Sequence, residues 1–157
     1  MNSQTFSIQE LIQKAERFCA YQERCHKEVA QKLYELGASA QESDEIIAHL
    51  IQNNFLNEER FARSFVRGKH RIKKYGKVRI INELKFRNIS KYNIDKALQE
   101  IPDDQYEATF TELSETAWHS ITERNKLKKK KKFCDYLLRK GYESDWVYDA
   151  WKKFSEA

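Results

Sequence analysis

Proline occurs once in this 157-residue sequence and glycine four times. Turns and bulges lean on those two residues, so their scarcity argues against a β-rich fold and predicts a mostly helical protein. Cysteine is scarce too. Cys19, Cys25 and Cys134 form no CxxC pair, and an odd, scattered set predicts reduced thiols and a cytoplasmic location. No apolar run approaches the roughly 18 residues of a membrane span. The first ten residues, MNSQTFSIQE, lack the basic and apolar regions of a secretory signal, so no membrane partner is expected.

Chemistry is equally thin. Gly68 and Gly76 lie in basic helical sequence, outside any phosphate-loop pattern. His26, His49, His70 and His119 are scattered, and the adjacent Cys25 and His26 lack a second pair at ligand spacing. Neither a metal nor a cofactor is expected. Asp103 and Asp104 directly follow Pro102 and read as a helix cap. Cys134 is flanked by basic residues that would lower its pKa, but no base or orienting group accompanies it. The sequence therefore argues against an enzyme.

What is present is a repeat. The stretches 33–50, 84–101 and 137–154 superimpose without a gap. Each opens on a leucine, Leu33, Leu84 or Leu137. Four positions later each reaches a residue that tolerates the left-handed end of a helix, Gly37, Asn88 or Gly141. Each closes on an apolar triplet: Ile46, Ile47 and Leu50; Ala97, Leu98 and Ile101; Ala150, Trp151 and Phe154. The pattern predicts an elongated all-α tandem array of three three-helix repeats, with boundaries at 7–56, 57–102 and 103–157. Such an array offers an extended binding surface in place of an enclosed pocket.

The repeats divide into helices at ordinary signals. Ser7 and Glu10 have capping-box spacing, followed by one apolar face from Ile8 to Cys19. The next helix runs from about Arg24 to Leu36. Asn57 caps the second repeat, whose inner face carries Phe61, Ala62 and Phe65 and extends to Ile72. Tyr75 and Gly76 break the chain before a helix bearing Val78, Ile81 and Leu84; Ser90 caps the one after it. In the third repeat Tyr106, Phe110 and Ala117 have helical spacing. Phe61, Phe65, Leu84, Ile89, Leu33 and Leu137 are the expected structural core.

Charge is unevenly spread within a net of +5. Between Arg60 and Lys91 there are twelve lysines and arginines, and Glu83 is the only acid. Asp95 to Glu123 is predominantly acidic, and Lys126 to Lys132 is again basic. Arg60, Arg63, Arg67, Arg71 and Lys74 step by three or four and so share one helical face. Together with Lys77, Arg79, Lys128, Lys129 and Lys132 they form the candidate anion-facing surface, for carboxylates or phosphates alike. Aromatic rings suited to stacking on bases are Trp118, Tyr142, Trp146, Tyr148 and Trp151. Trp151 sits in an apolar triplet and Trp146 at helical spacing from it, so both read as core, which leaves Tyr148 as the exposed candidate.

Two segments, FLNEERFARSFVR from Phe55 to Arg67 and YGKVRIINELKFRNIS from Tyr75 to Ser90, resemble the RecX family of bacterial regulators of the RecA recombinase. The first matches through Leu56, the cap Asn57–Glu58–Glu59, then Arg60, Phe61, Ala62 and Phe65. The second matches through Gly76, Arg79, Ile80, the pair Glu83–Leu84, and Ile89 after the stop at Asn88. The segment 24–50 resembles the family's first repeat. Asn88 stands where glycine is commoner, and Ser43 stands where the other repeats have Ile94 and Val147. The resemblance implies a non-enzymatic monomer that lodges in the groove of the RecA–DNA filament. There it would restrain strand exchange and filament-stimulated cleavage of the SOS repressor. Direct contact with single- or double-stranded DNA is a further expectation. The charge alone also fits a DNA-binding helical protein acting without RecA, or a helical adaptor for another acidic protein.

Overall fold

The structure, a computed structural model, describes residues 5–157, which among themselves form helices and no strand. In chain order these are α1 (Ile8–Tyr21), α2 (His26–Glu35), α3 (Ala40–Gln52), α4 (Glu58–Arg71), α5 (Lys77–Phe86), α6 (Lys91–Leu98), α7 (Asp103–Ser120), α8 (Lys126–Lys140) and α9 (Ser144–Glu156).

The repeat seen in the sequence is a repeat of backbone geometry. Gly37, Asn88 and Gly141 have φ of 89°, 60° and 104°, so all three leave their helix through the left-handed region. The Ala38 and Tyr142 amides then donate back to the Leu33 and Leu137 carbonyls at 3.0 and 3.2 Å. Those contacts satisfy carbonyls that the helix end would otherwise leave open. Leu33, Leu84 and Leu137, one turn earlier, are fully buried. Helix starts also follow the sequence. Ser7 and Glu10 cap each other reciprocally. Asn57 accepts the Arg60 amide at 2.9 Å, and Ser90 accepts that of Asn93 at 3.2 Å.

Several expectations are corrected. Helix α2 starts at His26, after Cys25, and not at Arg24. Helix α4 ends at Arg71, so Ile72 falls outside its inner face and is 78% exposed. On α5 the buried pair is Ile80 and Leu84, a turn apart, while Val78 is exposed. The N-cap of α7 is Pro102. Asp103 and Asp104 lie in the first helical turn, where carboxylates complement the positive end of the helix dipole. Gly76 lies in the loop before α5 and outside any helix.

Packing divides the chain into two compact units. The first comprises the described residues up to Ser64 together with Lys85–Ala97. Its core joins Leu11, Ala15 and Cys19 of α1 to Val29 and Leu33 of α2 and Ile46 and Leu50 of α3, closed by Leu56. The second comprises Phe65–Leu84 and Leu98–Ala157. Its core is aromatic: Tyr106 lies 5.4 Å from Tyr142 and 5.3 Å from Trp146, and Phe110 lies 5.1 Å from Tyr142. Tyr142, a stacking candidate in the sequence, is therefore a buried core residue. Helices α4 and α5 each pass from one unit into the other.

Candidate functional site

The cations of the second repeat separate into two groups once their partners are known. Arg60 pairs with Glu23 and also donates to the Asn54 side chain at 3.0 Å. Arg63 pairs with Glu59 one turn earlier at 3.1 Å. Arg67 pairs with Glu100 at 3.1 Å. These carboxylates lie outside the stretch whose lack of acids marked it as a binding surface, so the three arginines are engaged within the fold. Arg60 and Arg63 belong to the first compact unit and Arg67 to the second.

The other group lies in the second unit, around the loop that joins α4 to α5. Arg71, Lys73 and Lys74 are exposed, and none is in an ion pair among the described residues. Lys74 sits beyond the end of α4 at φ 59° and does not continue the helical face of Arg60 to Arg71. Next to the loop, Arg79 stacks on the Tyr75 ring at 3.8 Å and donates to the Arg139 carbonyl at 3.1 Å. Lys69 and Lys140 approach the same ring at 5.8 and 5.6 Å. Lys77 lies over the Tyr106 ring at 4.5 Å. Tyr75, Arg139 and Lys140 were not legible as members of this site. Arg139 and Lys140 belong to another repeat, and only their position just before Gly141 hinted at a role.

The loop backbone is held at several of its polar groups. The Lys73 carbonyl accepts Lys140 Nζ at 3.1 Å, and the Lys74 carbonyl accepts the Tyr142 hydroxyl at 2.8 Å. His70 Nδ1 lies 3.0 Å from the Tyr75 carbonyl, a contact that requires the proton on Nδ1. The first amides of α5 have no cap from their own repeat. Gly76 N–H donates to the Lys140 carbonyl at 2.8 Å and Val78 N–H to the Gly141 carbonyl at 2.9 Å. Lys77 N–H donates to the Tyr106 hydroxyl at 3.0 Å. That hydroxyl in turn donates to Glu143. Burial and the Glu143 bond push the Tyr106 phenol well above its ordinary range, so it stays a donor at any physiological pH.

The lysine run starts α8 without any acid in the first turn. Lys132 reaches Glu123 at 3.5 Å and Lys131 pairs with Asp135 at 2.8 Å. Lys129 lies 4.0 Å over Trp118, while Lys128 is exposed with its amide capped by Asn125. Tyr148, the exposed aromatic candidate, is 43% exposed, as its offset from the apolar triplet predicts.

Among the described residues no group of three His, Cys, Asp or Glu is placed to hold a metal ion, and none of their helices is long and apolar enough to cross a membrane. All three cysteines are free and buried. Burial pushes their thiols up, that of Cys25 to about 11. At Cys134 burial outweighs the opposing effect of Lys130, contrary to the lowering its basic flank suggested. The thiolate is the reactive form. A disulfide-exchange reagent at pH 8 should therefore leave all three thiols essentially unlabelled in the folded protein and label them on addition of denaturant. Rapid labelling of the native chain would contradict that placement.

Two family models match the chain: that for the first three-helix domain of RecX over residues 12–50, and that for the second over residues 57–98. Between them they cover more than half of the sequence. Curated relatives called Regulatory protein RecX include those of Salmonella heidelberg (strain SL476) and Salmonella agona (strain SL483). Each is 26% identical over 160 residues, spanning 93% of this chain and 92% of the relative. Among solved structures, RecX from Lactobacillus salivarius superimposes with a TM-score of 0.79 at 25% identity, over 96% of this chain and 97% of that one. Another crystal structure of a regulatory protein RecX shares the fold, with a TM-score of 0.78 at 21% identity over 92% of this chain and 74% of the other.

Proposed function

This chain belongs to the RecX family, and on that premise we propose that it is a regulatory protein that binds the RecA–DNA filament. Bound there, it inhibits the recombinase and co-protease activities of RecA and so modulates DNA repair and the SOS response. It does so in the cytoplasm, by occupancy and without catalysis, with its repeats engaging more than one filament subunit. The observation that carries the surface assignment is the division of the cations. Arg60, Arg63 and Arg67 are neutralised by Glu23, Glu59 and Glu100, whereas Arg71, Lys73 and Lys74 have no such partner among the described residues. Unpaired cations on a held backbone keep their charge for a partner. Lys77 and Arg79 adjoin the loop, and Lys128, Lys129 and Lys132 at the start of α8 are a second cationic contact in this reading.

The test is RecA ATPase and filament length on single-stranded DNA, with and without the protein. Addition should lower the ATPase rate and shorten the filaments. Reversing Arg71 and Lys73 to glutamate should remove both effects with the far-UV circular dichroism unchanged. Arg67→Glu is a poor substitute, because it would face Glu100 and disturb the fold. Full inhibition by the folded Arg71, Lys73 double variant would rule out this surface. A salt titration distinguishes DNA binding without RecA, which should weaken with a log–log slope of about −0.9 per contacted phosphate on duplex DNA.

A further inference from the structure

We propose that the loop from Arg71 to Lys74 is a preformed docking prong, with Ile72 as its apolar anchor, Arg71, Lys73 and Lys74 as its cationic rim, and an acidic protein groove with an apolar floor as its partner. The inference rests on the reading of this chain as a filament regulator, and it places that groove on the protein of the filament.

Ile72 is 78% exposed between three exposed cations. A connecting loop ordinarily directs its backbone groups to water and tolerates motion. Here the backbone is held from within the second unit. Three consecutive carbonyls, of Lys73, Lys74 and Tyr75, are bound by Lys140, Tyr142 and His70. The amides of Ile72, Lys74 and Tyr75 donate to the carbonyls of Gly68, His70 and Lys69 at 3.0 to 3.1 Å. Tyr142 and His70 are themselves buried. The ordering cost of the loop is therefore already met before a partner arrives, which is the condition for affinity by preorganisation.

Lys74 adds an independent sign. Its φ of 59° is a conformation glycine holds without strain and lysine does not. Strained non-glycine residues persist only where the surrounding structure holds them, and they cluster at ligand clamps and switch regions.

The composition of the tip selects the partner. Three unpaired cations exclude a basic surface and favour an acidic one. Phosphate contacts come from charged and polar groups and gain nothing from an isoleucine held in solvent. An apolar centre inside a charged rim is instead the anatomy of a protein–protein interface.

The experiment titrates full-length variants against RecA ATPase on single-stranded DNA. Ile72→Ser should raise the half-inhibitory concentration about ten-fold, a loss that corresponds to about 1.4 kcal/mol, with an unchanged melting temperature. Tyr34→Ser, at a residue 75% exposed and outside the loop, should change nothing. Lys74→Gly should raise the melting temperature and still weaken inhibition. A parent protein without effect on RecA would overturn the filament reading and the prong with it. An active parent matched by an equally active Ile72→Ser would overturn the prong alone. A loss in Ile72→Ser mirrored by an equal loss of binding to DNA without RecA would overturn the protein groove in favour of nucleic acid.

Discussion

Gly76→Ala should destabilise the protein by about 3 kcal/mol or more, a fall of about 6–12 °C in melting temperature for a chain of this size. A methyl group at Gly76 would run into the carbonyl carbon and oxygen of Gly141 and, at 2.5 Å, the Tyr142 amide nitrogen. All three are backbone atoms, so no rotamer change relieves the overlap. The backbones meet there because Gly76 N–H donates to the Lys140 carbonyl and Val78 N–H to the Gly141 carbonyl. Retreat would break both bonds and leave the amide of the buried Gly76 unsatisfied. Gly68→Ala is the matched contrast. Gly68 lies inside α4 with nothing within 4 Å of an added Cβ, so alanine should stabilise it by about 0.5–1 kcal/mol through helix propensity. Thermal melts followed at 222 nm compare the two; a Gly76→Ala midpoint within about 2 °C of the parent would refute the close approach.

The contrast between these glycines shows what the sequence revealed and what it withheld. Both sit in basic sequence, and although Gly76 reads there as a break between helices, nothing local shows that another repeat's backbone meets it. Local rules succeeded where the cause is local. The stops at Gly37, Asn88 and Gly141 are read from the residue that can hold a positive φ, and the caps at Ser7, Asn57 and Ser90 from a side chain three positions before an amide. Leu33, Leu84 and Leu137 followed from their offset to those stops. Local rules failed where the partner is distant in sequence. Glu23 and Glu100 neutralise Arg60 and Arg67 from outside the basic stretch, so a charge count along the chain overstated that surface. Lys74 adopts φ 59° because Tyr142 and His70 hold the flanking carbonyls, and nothing in the lysine itself foretold it. The candidate site was legible as a basic region but not as a loop, because Lys140 and Tyr142, which fix that loop, belong to a different repeat.

Ending the chain at Pro102, after the second repeat, should unfold α5 while leaving α1 to α3 folded. Cutting at a repeat boundary is expected to be harmless if each repeat folds alone, but the hydrogen bonds argue otherwise. The first three amides at the start of α5, those of Gly76, Lys77 and Val78, donate to the Lys140 carbonyl, the Tyr106 hydroxyl and the Gly141 carbonyl. Every one of those acceptors is removed by the truncation. The Arg79 anchor on the Arg139 carbonyl and the Tyr142 bond to the Lys74 carbonyl go with them. Helix α5 spans ten residues, and an isolated helix shorter than about 12–15 residues is marginal in water. By contrast, the core of α1 to α3, from Leu11 to Leu56, lies wholly before the cut. Amide hydrogen exchange on the 1–102 fragment should show protection in residues 8–52 and fast exchange in residues 77–84. Slow exchange in 77–84 would mean that α5 is stable on the contacts of its own repeat. The repeat is thus a unit of sequence and of helix geometry, whereas the unit that packs and caps α5 is assembled from two repeats.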